Sequence, residues 1–264
     1  MIESRLPEVS PEIDVEIDHA LGVSGCSCTR IRRVARGALR NEKGIGIEMK
    51  IFDGMGPNPR FVRMFVIEKG LTIPAEPVDL MAGQNREGAH LSRNPMGQLP
   101  CLETDKGSMI SEITAIGEYL EELQPTPPLV GTNAEQRAEA RMWTRRIDLN
   151  VCEPLVAGFR YGEGLGIFKD RMRTIPEAAD GLKALKHDNL VKLDGLLAGK
   201  EFLCGDRLTM ADLLLFSFLD FGAIAGQPLD PELSQVQAHF ERMGARPSAA
   251  ASLEPVAAGG SISG

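Results

Sequence analysis

At 264 residues the chain has room for about two domains, and with 43% hydrophobic residues it can bury a sizeable core. Its formal net charge of -8 argues against a nonspecific grip on nucleic acid or on an anionic membrane surface, and no apolar run approaches the ~20 residues of a membrane span. The five cysteines are odd in number and widely spaced, which fits reduced thiols in a cytoplasmic protein; Cys26 and Cys28 have no matching second pair, so no metal site is expected.

Residues 1–48 differ from the rest. Glu3, Glu8, Glu12, Asp14, Glu16 and Asp18 stand where a secretory signal would need a basic region and an apolar core. Arg30, Arg32, Arg33, Arg36 and Arg40 follow without sustained apolar periodicity, so the segment is expected to be disordered or a spurious extension, with translation from Met49 as a second reading. Residues 49–124 then alternate. A strand is predicted at Lys50-Ile51-Phe52, then a helix after Gly54–Pro59 with Val62, Phe65 and Val66 on its apolar face and a stop at Gly70. Ile73–Leu80 reads as a proline-spoiled edge strand, Arg86–Ser92 as helical, Leu99–Thr104 as a strand, and Ser111–Leu123 as a helix. This is a small α/β unit. A proline-rich linker covers 125–132. Beyond it, 133–247 shows only helical signals, at Ala134–Val151, Ala179–Leu197, Met210–Ile224 and Pro231–Met243; the Ala/Gly/Ser-rich 248–264 is expected to fray.

Three places could carry chemistry. Pro100 opens a strand; a trans bond would be ordinary, whereas a cis Leu99–Pro100 bond would turn the Leu99 backbone outward to pair with an extended peptide. Glu112 and Ile113 open a helix, where an acid complements the dipole; free amides there could equally take a ligand carboxylate while Glu112 meets a ligand amine. Gly56 and Asn58 begin another helix. Asn58 is either a cap for that helix or, with nearby amides, a holder of a thiolate. Thr209-Met210-Ala211-Asp212 has capping-box spacing with Asp in place of Glu, so Asp212 is given a structural role.

Three stretches together resemble the glutathione transferase superfamily, of the theta-like bacterial and fungal type, over nearly all of the chain from Met49 to about Leu253. They are Gly56-Pro57-Asn58-Pro59-Arg60-Phe61-Val62-Arg63, Asn94-Pro95-Met96-Gly97-Gln98-Leu99-Pro100, and Ile110-Ser111-Glu112-Ile113-Thr114-Ala115-Ile116, and Gly205–Asp212 resembles the family's second-domain capping motif. The resemblance implies a thioredoxin-like α/β N-terminal domain followed by an all-α domain. It also implies a cytoplasmic homodimer that uses glutathione as co-substrate, adds its thiolate to a hydrophobic electrophile and serves detoxification. Catalytic roles then fall to Gly56 and Asn58. Glutathione would be held by Asn85, Arg86, Gln98, Leu99, Pro100, Glu112 and Ile113. On the helical side Trp143, Arg146 and Asn150, at i, i+3 and i+7, would border the electrophile; the alternative places Trp143 in the core. Two departures stand out: Gly56 replaces a frequent Ser or Cys, and Ile113 replaces the Ser that usually follows the acid. A catalytically silent binding protein, or a glutathione-dependent isomerase, dehalogenase or ether-cleaving enzyme, remains the alternative.

Overall fold

The computed structural model describes residues 49–264, so the expectations for 1–48 lie outside the described residues. Strand β1 (Lys50–Asp53) is followed by helix α1 (Pro57–Glu68) and strand β2 (Thr72–Pro77). The short helix α2 (Gly88–Leu91) leads to the hairpin of β3 (Cys101–Glu103) and β4 (Met109–Ile110), and α3 (Ile113–Leu123) closes the unit. Successive residues of β1 face opposite sides of the sheet. Ile51 packs under α1, while Phe52 joins Val78, Leu99 and Cys101 in a smaller cluster.

β2 is not the edge strand that its prolines suggested. The sheet order is β4-β3-β1-β2-β5, with β5 (Ser261–Ser263) antiparallel to β2. β1 and β2 are parallel, aligning Ile51 with Ala75, and β3 runs antiparallel to β1. The expectation of a frayed tail over 248–264 is therefore corrected. Composition misled because the segment is held by polar groups on α1 rather than by its own apolar pattern. Buried Arg63 donates to Asp53 Oδ1 at 2.7 Å and to the Ser252 carbonyl at 2.8 Å. Glu68 accepts from Arg246 Nε and Nη2 at 2.7 Å each.

The helical half comprises α4 (Ala134–Ile147), α5 (Glu153–Tyr161), α6 (Leu165–Phe168), α7 (Ala179–Leu197), α8 (Met210–Ile224), α9 (Ser234–Gly244) and α10 (Pro247–Ala251). The almost wholly apolar α8 forms its centre, lying against α1, α4 and α9. Asp212, fully buried, accepts hydrogen bonds from the Thr209 and Leu203 amides at 2.8 Å each and stands 2.9 Å from His239 Nε2. The linker is more than a stiff spacer. Buried Glu121 of α3 accepts the Leu129 and Val130 amides at 3.1 Å and pairs with Lys69, fixing the linker to the α/β unit. Among the described residues, no helix is long and apolar enough to cross a membrane.

Candidate active site

Six of the residues singled out in the sequence meet in one cleft of about 80 Å³: Asn58, Gln98, Leu99, Pro100, Glu112 and Ile113. Asn94 and Thr114 also line it, and the helical half contributes Asp148 and Glu153. A larger cavity of about 340 Å³ lies by Pro127, Leu129 and Leu208. Its two guanidiniums, Arg207 and Arg246, are already paired with Glu139 and Glu68, and it gathers none of the predicted site residues.

Two helix starts face the cleft, and neither has a side-chain cap. At α1, Gly56 is the N-cap residue, with φ 110° and ψ 175°, a backbone shape that side chains rarely adopt. Open space surrounds the position where a Cβ would stand, so glycine is demanded here by the backbone and not by crowding. Pro57 and Pro59 have no N–H, and the Arg60 amide is used on the Gly56 carbonyl at 3.2 Å. Asn58 is left as the first-turn residue with an open backbone donor, and its side chain makes no hydrogen bond among the described residues. The capping alternative for Asn58 is thereby not the one adopted.

At α3, the Ile116 amide reaches the Glu112 carbonyl at 3.0 Å, while the amides of Ile113, Thr114 and Ala115 have no partner among the described residues. The aligned peptide dipoles make this end of the helix a partial positive charge. Glu112 itself has φ 69°, the only non-glycine residue with positive φ among the described residues. Such a conformation costs on the order of 1–3 kcal/mol and persists only where its surroundings impose it.

The third element is the backbone before β3. The Leu99–Pro100 bond is cis, and neither the amide nor the carbonyl of Leu99 has a hydrogen-bond partner among the described residues. Asn85 and Arg86 stand behind this loop rather than in the cleft. The buried Asn85 side chain donates to the Gly97 carbonyl at 2.7 Å, and exposed Arg86 reaches the Met96 carbonyl at 3.4 Å.

The residues chosen from the helical half lie elsewhere. Trp143 is 6% exposed and belongs to the main core; Arg146 and Lys200 stand over its ring, each 5.2 Å from the centroid. Asn150 donates to the Arg146 carbonyl at 2.8 Å. Their place in the cleft is taken by Asp148 and Glu153, for a reason that even helical stepping conceals. At 3.6 residues per turn these two point about 140° apart. Residues Asp148–Cys152 instead form a π-helical turn, and the Glu153 amide bonds the Asp148 carbonyl, five residues back. That wider turn brings the two carboxylates to one side. Burial, then the neighbouring charge of Asp148, pushes the Glu153 carboxyl above its ordinary range, with Glu112 adding to the effect. Asp148 is balanced by Arg145 at 2.9 Å. No sequence signal marked the π turn. Asn94 was visible in the Asn94–Pro100 motif but was assigned nothing.

Comparison with known proteins agrees with this geometry. Residues 38–123 match the family model for the glutathione S-transferase N-terminal domain, and residues 169–247 match that for the C-terminal domain. The chain is 39% identical over 171 residues to a maleylacetoacetate isomerase of Pseudomonas aeruginosa, covering 64% of this chain and 78% of that protein. It is 28% identical over 215 residues to glutathione S-transferase 2 of Saccharomyces cerevisiae, covering 78% and 90% respectively. The crystal structure of a glutathione S-transferase domain-containing protein from Marinobacter aquaeolei superposes with a TM-score of 0.72 at 33% identity, over 76% of this chain and 99% of that one. The chain, a thioredoxin-like domain followed by a helical domain, belongs to the glutathione S-transferase superfamily of enzymes.

Proposed function

We propose that this enzyme ionises bound glutathione and adds its sulfur to an electrophilic carbon of a hydrophobic co-substrate. The observation that carries this reading is the convergence of two uncapped helix starts and the open Leu99 backbone on one cleft. The Leu99 amide and carbonyl pair with the cysteinyl backbone of the tripeptide. The Ile113 and Thr114 amides take the γ-glutamyl carboxylate, and Glu112 meets its ammonium. Arg86, exposed beside the loop, is the cation for the glycine carboxylate, with Asn85 holding the loop beneath it.

The thiol lies beside the start of α1. Lowering a thiol pKa of ~8.5 by about two units requires ~2.7 kcal/mol. A helix N-terminus supplies ~0.3–1 kcal/mol, rarely ~2, and one hydrogen bond to a charged acceptor ~1.5–3 kcal/mol. The α1 dipole and one Asn58 donor therefore reach the required size without a hydroxyl or thiol at position 56. The thiol proton leaves to solvent. The thiolate then forms the S–C bond, and the leaving group departs with its electron pair or, in an addition, the adjacent carbon takes a proton.

The 39% identity to a maleylacetoacetate isomerase favours a second reading, glutathione-dependent isomerisation, which shares thiolate formation and differs in the electrophile. The missing side chain at Gly56 is what supports a third, a silent glutathione-binding protein. We further infer a homodimer in the cytoplasm; three described cysteines are free and buried, in keeping with a reducing compartment. The test is turnover of glutathione with an aromatic halide, run beside retention on immobilised glutathione. Turnover supports transfer, retention without turnover of any electrophile supports the silent protein, and failure of both refutes glutathione as ligand. Sizing chromatography that shows only monomer would sink the dimer.

A further inference from the structure

Behind the open Leu99 amide, two buried side chains converge on one atom. His90 Nε2 lies 3.0 Å from the Gln98 carbonyl oxygen, and Asn94 Nδ2 donates to the same oxygen at 3.0 Å. Both residues are 2% exposed. A carbonyl offers no hydrogen, so Nε2 must carry the one in the first contact. His90 Nδ1 has no partner among the described residues, which leaves the Gln98 carbonyl as the ring's one polar contact there. The Asn94 Oδ1 atom accepts the Met96 amide at 3.2 Å, so both ends of that side chain are fixed.

The Gln98 carbonyl and the Leu99 N–H belong to one peptide unit. That unit is planar and trans, so its oxygen and its hydrogen point in opposite directions. Anchoring the oxygen inward on His90 and Asn94 therefore aims the Leu99 N–H outward, toward the cleft that Leu99 lines. Two donors on the oxygen also polarise the peptide and strengthen its N–H as a donor. We propose that His90 and Asn94 are positioning residues for glutathione: together they orient and sharpen the Leu99 amide that pairs with the tripeptide backbone. The inference rests on the glutathione reading above and adds to it two residues that act through the Gln98–Leu99 peptide. A preformed donor removes an ordering cost that a mobile loop would incur on binding.

The consequence is a specific kinetic signature. The tripeptide backbone is held alike in the ground state and in the transition state, so weakening its donor raises KM for glutathione far more than it lowers kcat. The experiment measures glutathione Kd by calorimetry, and KM and kcat with an aromatic halide, for His90→Ala, His90→Gln and Asn94→Asp. Asn94→Asp keeps the shape and the acceptor for Met96 but removes the donor. His90→Ala and Asn94→Asp should each raise glutathione Kd and KM roughly five- to tenfold, the size of one net hydrogen bond. His90→Gln, which keeps an N–H donor, should recover most of the loss, and KM for the halide should hardly move. If both donor-deleting variants melt at lower temperature yet keep glutathione Kd within about twofold of wild type, the two residues only brace the loop and the inference is overturned. Wild-type protein that binds no glutathione would overturn the functional reading and this inference together, whereas normal wild-type binding with unaffected variants overturns this inference alone.

Discussion

The start of α8 and the starts of α1 and α3 are built on opposite principles. At α8 one buried carboxylate gathers the surrounding donors: Asp212 takes the Thr209 amide, the Thr209 hydroxyl, the Leu203 amide and His239 Nε2, all in the core. At α1 and α3 no side chain caps the helix, backbone donors stand open, and both N-cap residues have positive φ. Buried polar groups are normally satisfied because leaving them bare is costly. The starts of α7 and α9 also lack a side-chain cap; what sets α1 and α3 apart is a positive-φ N-cap residue and a border on one cleft. On the proposed function that is where the ligand sits, while the α8 start serves rigidity. Local rules obeyed at α8 and broken at α1 and α3 are the pattern that the proposed glutathione site requires.

The largest test of this contrast is Asp212→Ala. It leaves four buried donors facing a small apolar group, and should destabilise the protein by about 3–5 kcal/mol. Urea unfolding measures it. The folded fraction should keep wild-type KM for glutathione, since Asp212 has no part in the cleft. A loss under 1 kcal/mol would show that the α8 start is no more committed than the other two.

Glu112 is the converse case. Glu112→Ala should lower kcat/KM roughly 10- to 100-fold, the scale of a charge-assisted contact. Glu112→Gly should lose as much activity yet be more stable than the alanine variant by on the order of 1 kcal/mol, because glycine adopts φ 69° freely. Equal stability of the two would mean that Glu112 carries no backbone strain.

The sequence carried different parts of this picture unequally. The α7 and α8 spans were legible to the residue, because long apolar periodicity and a capping pattern are local signals. Pro100, Glu112 and Asn58 were legible as positions because prolines and helix starts punctuate a chain. Whether Trp143 faces the cleft or the core was not legible, since only the packed core decides which face of α4 is buried; it lies in the core. Nor were Asp148 and Glu153, brought together by a five-residue turn that no residue type announces. The tail was misread because β5 exists only when β2 is there to pair with it. His90 carried no signal at all: its role is set by a carbonyl eight residues away.

Asn58→Ala is a smaller test. Deleting a donor to the thiolate disfavours the charged form, so the apparent pKa in the rate profile should rise by about one unit, near 1.4 kcal/mol. Stability should change little, as Asn58 makes no capping bond. An unchanged pH profile would leave the activation to the backbone amide or to water.

The smallest effect concerns a satisfied group, Glu68, which holds the C-terminal segment through Arg246 and Ser248. Burial pushes its carboxyl upward, but the hydrogen bonds from Arg246 and Ser248 and the charge of Arg246 outweigh this, and the net shift is downward from 4.5. A carboxyl with its folded pKa below the unfolded one stabilises the protein above the unfolded value, and that contribution is lost as pH falls through the folded value. Glu68→Gln should therefore be less stable than wild type at pH 7 by on the order of 1 kcal/mol. The gap should narrow below about pH 4.5, where Glu68 of the unfolded chain begins to take up its proton, and close as pH falls through the lower folded value. Urea titrations of both proteins at neutral and acid pH read the gap directly. A gap that stays constant with pH would mean that Glu68 holds the tail by shape and not by charge, and the tail would then be indifferent to the protonation that its ion pair implies.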